Sequence, residues 1–202
     1  MKRNLLLLNY VVALLILSHC GGVPPTYYYR IDYELPNSNS ANNIILKTLG
    51  VAQFEADLLY EGDRIVYRNS LYEVQFYHYR RWIAPPKKIV TEKVLRQFQA
   101  SGMFQRVVSV PSHFEIDYIL EGQINAFEEW DEGNSWYGMV TLDLELQDTE
   151  THDIVWKREL SEKTKALKRE PVEVVKAISE SLNKVIQKAI EEIESTLRQQ
   201  DI

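Results

Sequence analysis

The stretch from Asp117 to Leu160 reads DYILEGQINAFEEWDEGNSWYGMVTLDLELQDTETHDIVWKREL and decides the fold of this 202-residue chain. Apolar and polar side chains alternate in part over 117–130, and more regularly over 135–147 and 153–160. That period is typical of half-buried β-strands. Turn-forming residues separate the segments, most clearly at 148–153. The stretch therefore predicts three consecutive antiparallel strands.

Shorter aromatic and β-branched runs upstream predict further strands. They lie at 27–35, 44–51, 54–60, 64–68, 71–82 and 104–110. The segments 64–68 and 71–82 are predicted to form a hairpin. In its second arm, the face with Tyr72, Val74, Phe76 and His78 is the predicted core face, and His78 is expected to be a hydrogen-bonded core residue.

Two segments have helical periodicity. Residues 87–101 follow Pro85-Pro86, and Gly102 is the expected C-cap. The second helix runs from Pro171 to about Leu197 with one apolar stripe, and its far end, around Ile193 and Leu197, is expected to be free to touch another chain. A coiled-coil homo-oligomer is the lesser alternative. The chain is thus predicted to form a single α+β domain, with a mostly antiparallel β-sheet and two α-helices packed on one face.

The amino terminus has the pattern of a signal peptide. Lys2 and Arg3 precede an apolar run over 5–17 that is too short to span a bilayer comfortably. The run ends in Leu17-Ser18-His19-Cys20, which resembles the bacterial lipoprotein processing box, although His19 replaces the usual small residue. The prediction is a signal peptide over 1–19, a lipidated (palmitate-type) Cys20 with a linker over 20–26, and a folded domain over 27–202. A plain signal peptide and an uncleaved anchor are the alternatives.

Composition excludes several classes of protein. The net charge is -6, and an acidic chain lacks the basic footprint of a general nucleic-acid binder. A single cysteine rules out an intrachain disulfide framework and a CxxC metal site. Removal of Lys2 and Arg3 with the signal peptide makes the charge -8, so acyl chains and not electrostatics would hold the protein on an anionic membrane.

No constellation of catalytic residues stands out. The histidines are well separated, and the sequence contains neither an HExxH nor a GxSxG motif. The acidic run Glu128, Glu129, Asp131 and Glu132 lacks the pattern of an EF-hand loop and is predicted to be a solvated hairpin end. We therefore expect no enzyme, no catalytic residue, no metal and no cofactor.

One surface is a candidate for partner binding. Aromatic and arginine side chains, which are enriched at interface hot spots, lie close together at Tyr77, Tyr79, Arg80, Arg81 and Trp82. The alternative is that these rings simply cover one side of the sheet. Arg80 and Arg81, with Lys87 and Lys88, form a basic patch that could steer an acidic partner.

Several of these segments together carry a family resemblance. They are Ile65-Val66-Tyr67-Arg68, Trp82-Ile83-Ala84-Pro85-Pro86 before a helix, Ser101-Gly102-Met103-Phe104 with Val107, Tyr118-Ile119-Leu120-Glu121-Gly122 and Trp156. With the long last helix and the lipoprotein box, the chain resembles the ABC-type transport auxiliary lipoproteins, which include the Pqi-type proteins.

The resemblance implies an outer-membrane lipoprotein that faces the periplasm. Its implied partners are an MCE (mammalian-cell-entry-type) substrate-binding protein and, through it, an inner-membrane ABC permease and ATPase that move lipids or other hydrophobic compounds. Gly21, in place of the aspartate that retains lipoproteins in the inner membrane, also favours the outer membrane. The alternatives are a periplasmic carrier of lipids or small molecules and a structural outer-membrane assembly lipoprotein.

Overall fold

The computed structural model describes residues 23–35 and 44–200, apart from the side chain of residue 200. Nine strands, two α-helices and a short 3-10 helix make up this part of the chain. In chain order they are β1 (Tyr27–Tyr29), β2 (Ile45–Val51), β3 (Glu55–Ala56), the 3-10 helix (Leu58–Tyr60), β4 (Arg64–Arg68), β5 (Gln75–Trp82), α1 (Pro86–Ser101), β6 (Phe104–Ser109), β7 (Tyr118–Glu132), β8 (Ser135–Asp148), β9 (Ile154–Lys165) and α2 (Pro171–Gln200).

Strand β7 is the centre of a nine-stranded sheet. One edge of β7 pairs with β8 along its whole length, from Tyr118↔Asp148 to Glu132↔Ser135, and β8 in turn pairs with β9. The other edge pairs in succession with β2, β3 and β4. The segment from β2 to β4 therefore pairs with this edge of β7 as three short strands, in place of one continuous strand.

The sheet forks beyond this second edge. Strand β2 continues to β6, whereas β4 continues to β5 and then to β1. Of the eight strand pairings in the described residues, five are parallel and three, β4–β5, β7–β8 and β8–β9, are antiparallel. The prediction of a mostly antiparallel sheet is therefore wrong, because every pairing between strands distant in the sequence is parallel. The predicted three-strand run β7–β9 and the β4–β5 hairpin are confirmed.

Both helices pack on the same face of the sheet. Ser181 of α2 donates a hydrogen bond to the carbonyl oxygen of Gly138 on β8 (2.9 Å). On the same face, Thr91 of α1 accepts a hydrogen bond from the backbone N–H of Phe54 (3.0 Å), whose ring fills the space above Gly122 of β7. The side chain of Gln97 in α1 donates to Asn183 in α2 (2.9 Å), which ties the two helices together.

The core extends along the whole of α2. Ile193 and Leu197 are both buried, so the prediction that this end of the helix is free to touch another chain is wrong. The indole of Trp156 on β9 donates to Glu192 (3.3 Å) beside this end. The 12-residue strand β9 extends the sheet far enough to cover the helix.

Four local predictions need adjustment. The predicted strands at 27–35 and 71–82 are shorter, and 54–60 contains a two-residue strand followed by the 3-10 helix. Tyr72 and His78 are exposed, so their assignment to the core is wrong. Gly102, by contrast, is the predicted C-cap, with a left-handed φ of 66°. No helix in the described ranges 23–35 and 44–200 is long and apolar enough to cross a bilayer.

The contact of α2 with Gly138 generates a test of the packing. A Cβ atom at this position would lie 2.2 Å from the backbone nitrogen of Ile178, so Gly138→Ala has to displace the helix. We expect the free energy of unfolding to fall by about 3 kcal/mol, as for other overpacked sites. Gly62→Ala is the control, because its Cβ would meet nothing within 4 Å. Urea unfolding followed by circular dichroism measures both, and equal stabilities would contradict the packing described above.

Candidate functional site: an aromatic groove beside a buried acid pair

The parallel pairing of β1 with β5 forms an aromatic groove at the edge of the sheet. Tyr27 lies opposite Arg80, so the chain just before β1 runs beside the first half of β5. The groove has a volume of about 530 Å³. Its lining residues are Pro24, Pro25, Tyr27, Tyr67, Phe76, Tyr77, His78, Tyr79 and Arg80.

The wall of this aromatic groove presents ring faces and a cation. The rings of Tyr67 and Tyr77 lie 4.8 Å apart between centroids, and the guanidinium of Arg80 stands 5.0 Å from the Tyr77 ring. The site can therefore receive apolar or aromatic groups by stacking and an anionic group at Arg80. Tyrosine and arginine are also the residues that dominate binding energy at protein interfaces.

Two carboxyl groups lie next to the groove on the helix-covered face of β7. The Tyr77 hydroxyl donates to Glu129 (3.0 Å), whose side chain is 1% exposed. Burial, together with the neighbouring Asp131, raises the pKa of Glu129 to about 8. Burial also raises the pKa of Asp131, while hydrogen bonding to Glu129 and the charge of Arg169 oppose this rise. The environment of Glu129 therefore favours its protonated form at neutral pH.

The adjacent residue Glu128 is buried on the opposite face of the sheet. Its carboxylate accepts hydrogen bonds from the Tyr60 hydroxyl (2.7 Å) and from Nε of Arg68 (2.9 Å). Glu128 is 0% exposed, so the prediction that Glu128 and Glu129 belong to a solvated hairpin end is wrong. Alternation along a strand sends the two carboxyl groups to opposite faces, and each is covered there.

The structure brings together three of the five predicted partner-binding residues. Tyr77, Tyr79 and Arg80 line the groove. Arg81 instead forms an ion pair with Asp63 (2.8 Å), which neutralises part of the predicted basic patch. Trp82 is 1% exposed and packs against Phe127, with 5.1 Å between the ring centroids, so its burial removes it from the predicted surface.

The predicted lipid attachment point, Cys20, lies outside the described residues.

Sequence reasoning missed the rest of the groove and the acid pair. Tyr27 and Tyr67 come from separate strands, and only the pairing of β1 and β4 with β5 brings them to Tyr77. The dense aromatic runs at 27–29 and 76–79 were the available signal. For Glu129, the signal was its position between Phe127 and Asp131 on one face of a strand.

Comparison with known families gives one match that covers most of the chain. The family model for the ABC-type transport auxiliary lipoprotein component matches residues 29–189. This match confirms the resemblance indicated by the Trp82-to-Pro86 segment and the segments around it. No curated protein matches the sequence.

Several solved structures share the fold. A Xanthomonas campestris protein of the DUF330 family is 22% identical with a TM-score of 0.77, and the alignment covers 87% of this chain and 99% of that one. An uncharacterized protein is 17% identical with a TM-score of 0.65, covering 84% and 99% of the two chains. A hypothetical protein from Chlamydia trachomatis is 5% identical with a TM-score of 0.50, covering 75% and 98%. At these identities the likeness is one of fold alone.

The raised pKa of Glu129 generates a prediction for the pH dependence of stability. A carboxyl group with a pKa of about 8 when folded and 4.5 ordinarily binds more protons in the folded state. Its contribution to stability is therefore fully present below about pH 4.5 and is lost as the pH rises toward 8. Glu129→Gln should remove a slope of up to about 1.4 kcal/mol per pH unit in this window.

Urea unfolding at a series of pH values between these limits measures the effect. The control is Glu115→Gln, at an exposed carboxyl group, which should leave the slope unchanged. The groups facing the pair are the neutral Tyr77 hydroxyl and the charged Arg80 on β5 and the charged Arg169 before α2, and all three stay in place in both variants. Parallel pH profiles for the wild type and Glu129→Gln would show that Glu129 is ionised in the folded protein.

Proposed function

Because the chain belongs to the family of ABC-type transport auxiliary lipoprotein components, we propose that it is the lipid-anchored periplasmic adaptor of an MCE-type transport system. Such a system moves lipids or other hydrophobic compounds between the inner and outer membranes. The family match over 29–189 is the observation that carries the proposal. The adaptor contacts an MCE-type substrate-binding protein and, through it, the inner-membrane ABC permease and ATPase.

The anchor in this proposal is Cys20. The apolar run before it has the length of a signal-peptide core, and Leu17 stands three residues before the cysteine. Two or three acyl chains hold a protein on a membrane far more firmly than one chain does. Gly21 at the next position supports the outer membrane as the location.

The aromatic groove is the proposed contact with the MCE protein. Stacked Tyr67 and Tyr77 and the guanidinium of Arg80 give it the composition of an interface hot spot. Tyr79 stands exposed at the groove and can be covered by a partner. A protein segment with an aromatic or acidic side chain fits this chemistry.

A carrier function is less well supported than an adaptor function. A carrier of this fold would hold its cargo between the sheet and the helices. At Gly138, however, α2 lies so close to β8 that even one added carbon would clash with the helix backbone. We therefore assign the domain the role of an adaptor and not of a carrier.

We assign it no catalytic activity. In the ranges 23–35 and 44–200, no group of three His, Cys, Asp or Glu side chains could hold a metal.

Replacing Arg80 tests the docking surface. Arg80→Ala removes the cation over Tyr77 and should weaken co-purification with the MCE protein by roughly tenfold or more, as for a hot-spot residue. Arg106→Ala is a matched control, because Arg106 lies over the Phe114 ring (4.2 Å) outside the groove. Pull-down of the MCE protein with the mature lipoprotein measures both. Equal binding by the two variants would reject the groove as the contact, and no binding by the wild type would count against the adaptor function itself.

Replacing Cys20 tests the anchor. Cys20→Ala removes the chain's only thiol, so the protein should carry no acyl groups in its intact mass. The mass of the intact wild-type protein should equal that of residues 20–202 plus a diacylglyceryl group and an N-acyl chain. A wild-type mass without lipid would show that the anchor proposal is wrong. His19→Gly, which restores a small residue before the cysteine, should leave the lipid in place.

A further inference from the structure

We propose that the hairpin end of the sheet lies in the headgroup region of the anchoring membrane, where Leu71, Tyr72 and Leu167 contact lipid directly. The hairpin end is defined here as the β4–β5 connection (69–74), the β7–β8 turn (133–134) and the segment between β9 and α2 (166–170). The proposal rests on the lipid anchor at Cys20 described above. The orientation of the domain relative to the membrane and this second membrane contact both go beyond what the family assignment implies.

Strand register places the three connections together. Arg68, the last residue of β4, lies opposite Trp130 near the end of β7, and Tyr67 pairs with Gln75 at the start of β5. On the other side, Lys165 at the end of β9 pairs with Tyr137 near the start of β8. All three connections therefore leave the sheet at the same end.

Two of these connections carry strongly exposed apolar side chains. Tyr72 is 95% exposed, Leu167 is 89% exposed and Leu71 is 73% exposed. Single exposed apolar residues are ordinary on protein surfaces. These three occupy connections that leave the sheet at the end nearest the proposed anchor. An aliphatic side chain beside a tyrosine is also the combination that suits the boundary between headgroups and acyl chains.

The charge next to Leu167 matches an anionic membrane. Residues 165–170 read KALKRE, with three basic side chains and one acidic side chain, in a protein whose net charge is -6. Lys165, Lys168 and Arg169 are all exposed. Basic side chains close to a membrane surface are attracted to anionic lipid headgroups. The other charged side chain of the hairpin end is Glu73, so the hairpin end as a whole is neutral and does not share the net negative charge that would repel the rest of this protein from anionic headgroups.

The segment that precedes β1 also leads toward the hairpin end of the sheet. Because β1 runs parallel to β5 with Tyr27 opposite Arg80, the chain before Tyr27 leads back toward the start of β5. Pro24 and Pro25 line the groove beside Phe76, near that start. Only three peptide steps separate Val23 from Cys20, and they span at most about 11 Å. An anchored Cys20 therefore holds the hairpin end, and not the far end, next to the membrane.

The far end of the sheet stands well away in this orientation. The 15 residues of β7 rise by about 50 Å, so the β8–β9 turn projects into the periplasm. The groove, which begins at Pro24, then opens close to the headgroups, where a partner that delivers or receives a lipid has to reach. In this orientation, the anchor and the groove both lie close to the membrane surface.

Fluorescence quenching by lipid tests this orientation in the full-length processed protein. Single variants Leu71→Cys, Tyr72→Cys and Leu167→Cys are labelled with an environment-sensitive dye and reconstituted into vesicles of phosphatidylethanolamine and phosphatidylglycerol. Leu46→Cys is the matched control, since Leu46 is 77% exposed and lies on β2 before the residue opposite Tyr118, at the far end. Doxyl-labelled lipids should remove most of the emission at the three hairpin-end positions and leave the Leu46 position unchanged.

The alternative outcomes are distinguishable. Labels at 71, 72 and 167 that are quenched no more than the label at 46 would overturn the proposal. A blue shift without quenching by lipid would also overturn it, in favour of a protein partner at this end. Equal quenching at all four positions would mean that the domain lies flat on the membrane, which contradicts the orientation. The intact mass of each sample reports separately on Cys20, so a missing anchor is not mistaken for a wrong orientation.

Discussion

The pairing of both edges of β7 is the constraint on which the rest of the fold depends. A strand of 15 residues presents two long rows of backbone N–H and C=O groups, and an edge left open is a template for aggregation. The β8 hairpin covers only one row. The chain from Ile45 to Arg68 covers part of the other row in three short pieces, which run in the same direction as β7. Strands β6, β5 and β1 attach to these pieces, so the groove exists only because this second edge is occupied.

The same arrangement explains why acidic residues can lie in the middle of β7. Burial of a charged carboxylate costs several kcal/mol unless it is paired or neutralised. Glu128 is paired, since it accepts hydrogen bonds from Arg68 and Tyr60. Glu129 is neutralised, because burial and, to a lesser degree, the nearby Asp131 raise its pKa and favour the protonated form. Glu128 and Glu129 therefore avoid the cost of burying an unpaired charge in different ways. Glu128 pairs with Arg68 on one face of the sheet, whereas the protonated form of Glu129 is favoured on the other face.

The sequence was informative where structure is local and uninformative where it is not. Both helices, the Gly102 cap and the three hairpin-linked pairings follow from periodicity and from turns of a few residues, because a short turn can only return the chain antiparallel. The parallel pairings join strands separated by long connections, and nothing local specifies their direction. For the same reason, only the part of the aromatic groove that lies on β5 could be predicted. Tyr77, Tyr79 and Arg80 belong to one strand, whereas Tyr27 and Tyr67 reach them only through tertiary pairing.

Tyr77 connects the two parts of the site and determines how the groove can behave. Its ring forms part of the groove wall, whereas its hydroxyl is held by Glu129 beneath the surface. A ligand that displaced the ring would leave a buried carboxyl group without its donor, which is costly. The stacked Tyr67 ring and the guanidinium of Arg80 restrain it further. The groove is therefore a preformed surface, and a preformed surface binds a partner without first losing the conformational entropy of its own side chains. Such rigidity suits a docking site for a structured protein better than a pocket that has to adapt to varied lipids.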